Sequence, residues 1–68
     1  MAAGYYVVNN VAQLNGDHEV HVYGCAWFPS SFTQLGQHDS CRNAVALAHQ
    51  YYPRSNGCYW CSNECHTT

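Results

Sequence analysis

The sequence contains no lysine, and its only arginines are Arg42 and Arg54. With a formal charge of −2, the chain has almost nothing to set against a phosphate backbone, so binding of nucleic acid by charge neutralisation is not expected. Charged residues of both signs make up only 9% of the chain, and the four carboxylates are scattered singly, which leaves no acid–base pair. No serine, cysteine or carboxylate stands beside a histidine in a catalytic context, and the glycines form no phosphate-binding loop. These absences point away from an enzyme. No apolar run approaches the roughly 18–20 residues needed to span a bilayer, and no charged segment precedes an apolar leader. The expectation is a cytoplasmic protein without a membrane partner.

Length is also scarce. At 68 residues the chain is expected to form one domain, 1–68, burying only about 60% of the surface it exposes when unfolded. Domains of this size commonly need a metal or disulfides to hold them. There are five cysteines, and a reducing cytoplasm favours metal over disulfides for them. Apolar residues are 47% of the chain, and six tyrosines dominate its aromatics. These rings are expected to supply the core. Rings left exposed would instead meet a protein partner or a second copy.

The pattern along the chain predicts an α+β domain. Tyr5–Val8 is β-branched and aromatic and reads as a short strand. Asn15-Gly16 is a hairpin signal, with a longer irregular loop from Asn9 to Asp17 as the alternative. His18–Tyr23 alternates, placing His18, Val20 and Val22 on one face and Glu19, His21, Tyr23 and Cys25 on the other. Gly24 stands where a bend would re-aim Cys25. Residues 26–37 read as a loop tied down by rings, with a short extended piece at Phe32–Leu35. The helix lies near Ser40–Tyr52, with Asp39 or Ser40 as its cap. Cys41, Ala44, Val45 and Ala48 form its apolar stripe, and Pro53 stops it. Cys58–Cys61 is expected as a third strand or a knuckle. A small antiparallel sheet of two to three strands with one helix follows.

The densest run of soft ligands is Cys58-Tyr59-Trp60-Cys61-Ser62-Asn63-Glu64-Cys65-His66. A cysteine pair separated by two residues can bind one ion from a single tight turn, as structural zinc sites do. Cys58, Cys61 and His66 have the first three spacings of a zinc knuckle. Cys65 competes with His66 for the third place, and Cys25, just past a strand and a glycine, is the best donor of the fourth ligand. Three thiolates plus one disulfide would use all five cysteines, leaving Cys41 and Cys65 as the pair; alone, Cys41 reads as a small buried hydrophobe. His18-Glu19-Val20-His21 is not the metalloprotease motif, whose histidines are four apart on one helical face. His21 and Cys25 share a strand face but would lie about 13 Å apart on a straight strand.

Gly16-Asp17-His18-Glu19-Val20-His21, Gly24-Cys25, Ser40-Cys41, Tyr52-Pro53 and Asn56-Gly57-Cys58-Tyr59-Trp60-Cys61, ending in Cys65-His66-Thr67, resemble a group of short bacterial Cys/His-rich proteins of unknown function. The resemblance spans most of the chain and implies no activity. More loosely, a His/Cys strand, a helix and a closing Cys-x2-Cys are similar to the zinc domain of the Ada DNA-repair protein, though methyl-acceptor chemistry is not carried over. The expectation is a structural zinc-binding module, with Cys25, Cys58, Cys61 and His66 as ligands, that contacts a protein partner without catalysis. The alternative is a thiol-based redox or metal-handling protein using Cys58 and Cys61.

Overall fold

The computed structural model describes residues 4–67. Its elements are strands β1 (Gly4–Asn9), β2 (His18–Val22) and β3 (Phe32–His38), helix α1 (Cys41–Ala48), strand β4 (Ser55–Gly57) and a final 3-10 turn, Asn63–Cys65. The sheet runs β3-β1-β2-β4. The domain is therefore α+β, as the patterning predicts, with four strands rather than two or three. Both partners of β1 are antiparallel, but β4 lies parallel to β2, with His18 opposite Ser55 and Val20 opposite Gly57. The parallel strand follows from the helix: β3, α1 and β4 form a crossover that returns the chain in the direction of β2.

β1 and β2 pair around the loop 10–17, with Tyr6 opposite Val22 and Val8 opposite Val20. The longer loop, not a two-residue turn, makes this connection. It is held by backbone bonds from Gln13 N–H to the Asp17 carbonyl and from Gly16 N–H to the Gln13 carbonyl, each 2.8 Å. It is also pinned to the last strand. Asp17 is buried, and its carboxylate accepts from Arg54 Nε at 3.2 Å and from Asn56 Nδ2 at 2.9 Å. The extended piece expected at Phe32–Leu35 continues to His38. Between Tyr6 and Val7 the β1–β3 register shifts by one residue, so that Leu35 is extra. Gly36, at φ +86°, takes the left-handed conformation such a bulge requires, and Leu35 turns into the core.

One face of the sheet packs on the helix. Tyr6, Val8, Val20 and Leu35 meet Cys41, Ala44 and Ala48 there, as the helical stripe predicts. The helix is shorter than expected, ending at Ala48, with Ser40 as its N-cap residue in extended backbone. From His49 to Tyr52 the chain leaves in tighter turns ahead of Pro53, whose ring disfavours helical geometry just before it. His18 stacks on Tyr52 at 3.8 Å, closing that end of the core.

The expectation that the rings supply the core is corrected. Tyr6 is buried, but Tyr5, Tyr23, Trp27, Tyr51, Tyr59 and Trp60 are all more than half exposed. Small and β-branched residues fill most of the narrow gap between one short helix and the sheet, with Tyr6 buried there and Tyr52 packed against its edge. Among the described residues, no helix is long and apolar enough to cross a membrane.

Candidate metal centre

The second face of the sheet carries the chemistry. Val7 and His21, opposite each other on β1 and β2, are both buried there, and the Phe28 ring meets the imidazole edge-on at 6.4 Å. A buried imidazole requires partners for both nitrogens. Its Nε2 lies 3.3 Å from Glu19 Oε1 and its Nδ1 3.7 Å from Cys61 Sγ. Glu19 is steadied in turn by Gln13 Nε2, which donates to Oε2 at 2.8 Å. Burial pushes the His21 pKa below its ordinary value, against the pull of the Glu19 carboxylate. The neutral ring is the form that ligates. With Nε2–H donating to Glu19, the Nδ1 lone pair points at the sulfurs, in the carboxylate–histidine arrangement that orients metal ligands.

Three thiols complete the cluster. β2 stops at Val22, and Gly24, at φ +98°, reverses the chain so that Cys25 N–H donates to the Val22 carbonyl at 3.1 Å. This tight turn brings Cys25 back beside His21. From the opposite side, Cys58 N–H donates to the Val20 carbonyl at 2.9 Å, at the Val20–Gly57 end of the β4 ladder. The chain then curls, with Ser62 N–H returning to the Cys58 carbonyl at 2.9 Å. The backbone N–H groups of Trp60 and Cys61 turn onto the Cys58 sulfur, and Val22 N–H points at Cys61 Sγ from 3.5 Å. Amides aimed at sulfur favour thiolates over thiols.

His21, Cys25, Cys58 and Cys61 each offer one ligand atom, and these four atoms all lie within 4.8 Å of one another. Cys25 Sγ and Cys58 Sγ are 3.9 Å apart. A tetrahedral zinc with Zn–S near 2.3 Å and Zn–N near 2.0 Å sets two thiolates about 3.8 Å apart, and a thiolate and an imidazole nitrogen about 3.6 Å apart. The cluster thus has nearly the dimensions of a four-ligand zinc site. Burial pushes the Cys58 thiol up. It pushes Cys61 up to about 12, helped by a hydrogen bond with Cys25. A cation placed among the sulfurs would offset that burial and draw the protons off.

Of the sequence-derived ligands, Cys25, Cys58 and Cys61 come together and His66 does not. The structure places His66 elsewhere: its Nδ1 lies 3.0 Å from the Gly57 carbonyl, and its ring meets Tyr59 edge-on at 5.4 Å. His21 stands in its place. The strand distance that counted against His21 does not apply, because Gly24 folds the chain between the two residues. That glycine was the available signal. Cys65 is also outside the centre, in a disulfide with Cys41, while Cys25, Cys58 and Cys61 remain free. Cys41 is buried, as its place on the apolar stripe predicts, and also bonded.

Gly57 is where the knuckle and the sheet come closest. A Cβ there would collide with the Ser62 carbonyl oxygen and lie 2.8 Å from Cys65 Cβ and 3.0 Å from its carbonyl carbon. Backbone cannot swing aside as a side chain can. Gly57→Ala is therefore expected to destabilise the metal-loaded protein by about 2–3 kcal/mol or more, read as a lower urea midpoint. An unchanged midpoint would mean that the knuckle does not pack against β4.

Compared with protein families, curated proteins and solved structures, the chain matches none.

Proposed function

We infer that this chain is a non-enzymatic module, built around a structural zinc held by His21, Cys25, Cys58 and Cys61, whose exposed aromatic surface meets a protein partner. The observation that carries this reading is the convergence of four ligand atoms within 4.8 Å. One imidazole nitrogen and three sulfurs suit zinc better than hard, oxygen-seeking ions. Four protein ligands close the tetrahedron and leave no position for a reacting water, which is the pattern of structural rather than catalytic zinc.

The redox alternative has less behind it. A redox cysteine is a partly exposed thiol of lowered pKa, whereas Cys58 is buried and both members of the Cys58/Cys61 pair are shifted upward. The cytoplasmic placement expected from the lack of a spanning run or leader segment is weakened by the Cys41–Cys65 disulfide. That bond favours an oxidising compartment.

Intact mass under non-denaturing conditions tests the centre, together with cobalt substitution read by thiolate-to-cobalt charge-transfer absorption. One metal per chain is expected. His21→Ala should weaken binding by more than the roughly 10–100-fold typical of losing an outer-sphere partner, while His66→Ala retains the metal and its spectrum. The opposite result for the two histidines would restore His66 as the ligand, and absence of metal from both would remove the zinc reading.

A further inference from the structure

The two arms that reach the centre also carry the most exposed indoles. Trp27 follows Cys25 by two residues, and Trp60 lies between Cys58 and Cys61. Bringing the ligands together sets these indoles 6.4 Å apart with planes inclined by 29°. Tyr59 stands at 87° to Trp60, 4.9 Å away. The rings wall an open groove of about 460 Å³ that Gln13, Glu19 and His66 also line. Trp27 and Trp60 are 63% and 67% exposed, so their faces are turned to solvent rather than buried against the domain.

Glu19, Gln13, Asn15 and His66 supply the polar lining of this groove beside the indole N–H groups and the Tyr59 hydroxyl. Glu19 receives hydrogen bonds from His21 Nε2 and Gln13 Nε2, but both donors are neutral when His21 ligates through Nδ1. The carboxylate therefore keeps its charge. Gln13 turns its NH₂ to Glu19. His66 holds its Nδ1–H on the Gly57 carbonyl. No lysine or arginine lines the groove. Arg54 is held by the Asp17 carboxylate and the Asn15 carbonyl, and Arg42 lies on α1. Aromatic faces and one carboxylate, in a lining that holds no lysine or arginine, form a receptor for positive charge.

We propose that the groove walled by Trp27, Tyr59 and Trp60 binds a cationic side chain, an alkylammonium or guanidinium group, presented by the partner protein. This rests on the interaction-module reading above and names the chemistry of the partner. The cation lies against the indole faces with Glu19 as its counter-ion. The metal acts at one remove, by holding the Trp27 arm beside the Trp60 arm.

The test titrates metal-loaded protein with the blocked amides of arginine and of trimethyllysine. The blocked amide of norleucine serves as a neutral chain of similar length and glucose as a neutral polyol. The readouts are indole fluorescence and the indole N–H resonances of Trp27 and Trp60, and metal content is measured in every sample. Saturable shifts of both indoles with the cationic amides, and none with norleucine amide, are expected. Trp60→Ala should weaken that binding between about threefold and thirtyfold. Glu19→Gln, read in samples kept metal-saturated against the weaker ligand orientation it causes, should weaken cation binding severalfold by removing the charge. Equal response to norleucine amide, or response to glucose alone, would overturn the assignment. So would unmoved indoles. The titration decides the groove and the metal content decides the centre, so the failure of one is distinguishable from the failure of the other.

Discussion

Removing the metal with excess chelator, with the disulfide left intact, is expected to unfold the protein cooperatively. Near-UV circular dichroism and amide protection on β2 and β4 should disappear together. A metal held by the cluster would join the end of β2, through His21 and Cys25, to the segment after β4, through Cys58 and Cys61, and would supplement the pairing of a β4 only three residues long. Structural zinc supplies on the order of 10 kcal/mol or more, against roughly 3–5 kcal/mol from a core of this size. Without the ion, Cys58 and His21, each 1% exposed, are left as buried polar groups around a gap. Cys58→Ser should reproduce the effect, since a hydroxyl does not replace a thiolate as a zinc ligand. Retention of the native spectrum and melting temperature in excess chelator would show that the core and the disulfide suffice, and the structural-metal reading would fail.

The second large effect should come from the disulfide. Cys41 opens α1 and Cys65 closes the final 3-10 turn, so the bond ties the two ends of a segment with a sequence separation of 24 residues. Closing a loop of that length in the unfolded chain is worth about 3 kcal/mol. Cys41→Ala and Cys65→Ala should each lower the unfolding free energy of the zinc-saturated protein by about that amount. The double variant should cost little more than either alone, because both remove the same bond. Metal stoichiometry should be unchanged in all three. Metal loss on substituting Cys65 would instead place that sulfur in the centre, and full additivity would mean that the two cysteines act separately.

These two staples were legible in the sequence to different degrees. An odd cysteine count with one tight Cys58-x2-Cys61 pair leads to three thiolates and one disulfide, because unpaired soft ligands at knuckle spacing suit an ion and the remaining two can suit each other. The alternation of His18–Tyr23 and the stripe of Cys41, Ala44 and Ala48 are equally local. They follow from the periods of strand and helix, and the structure places Val20 and Val22 with the helical stripe on the core face and His21 on the other. The fourth ligand was not local. His66 is close to Cys61 in sequence, but the 3-10 turn carries it past the sulfurs to the Gly57 carbonyl. His21 is brought in by a reversal at Gly24 that a strand-distance argument assumes away. The parallel pairing of β4 and the exposure of Trp27, Tyr59 and Trp60 were likewise decided only by assembly. Composition counts rings without saying which of them the narrow gap between one short helix and the sheet has volume to accept.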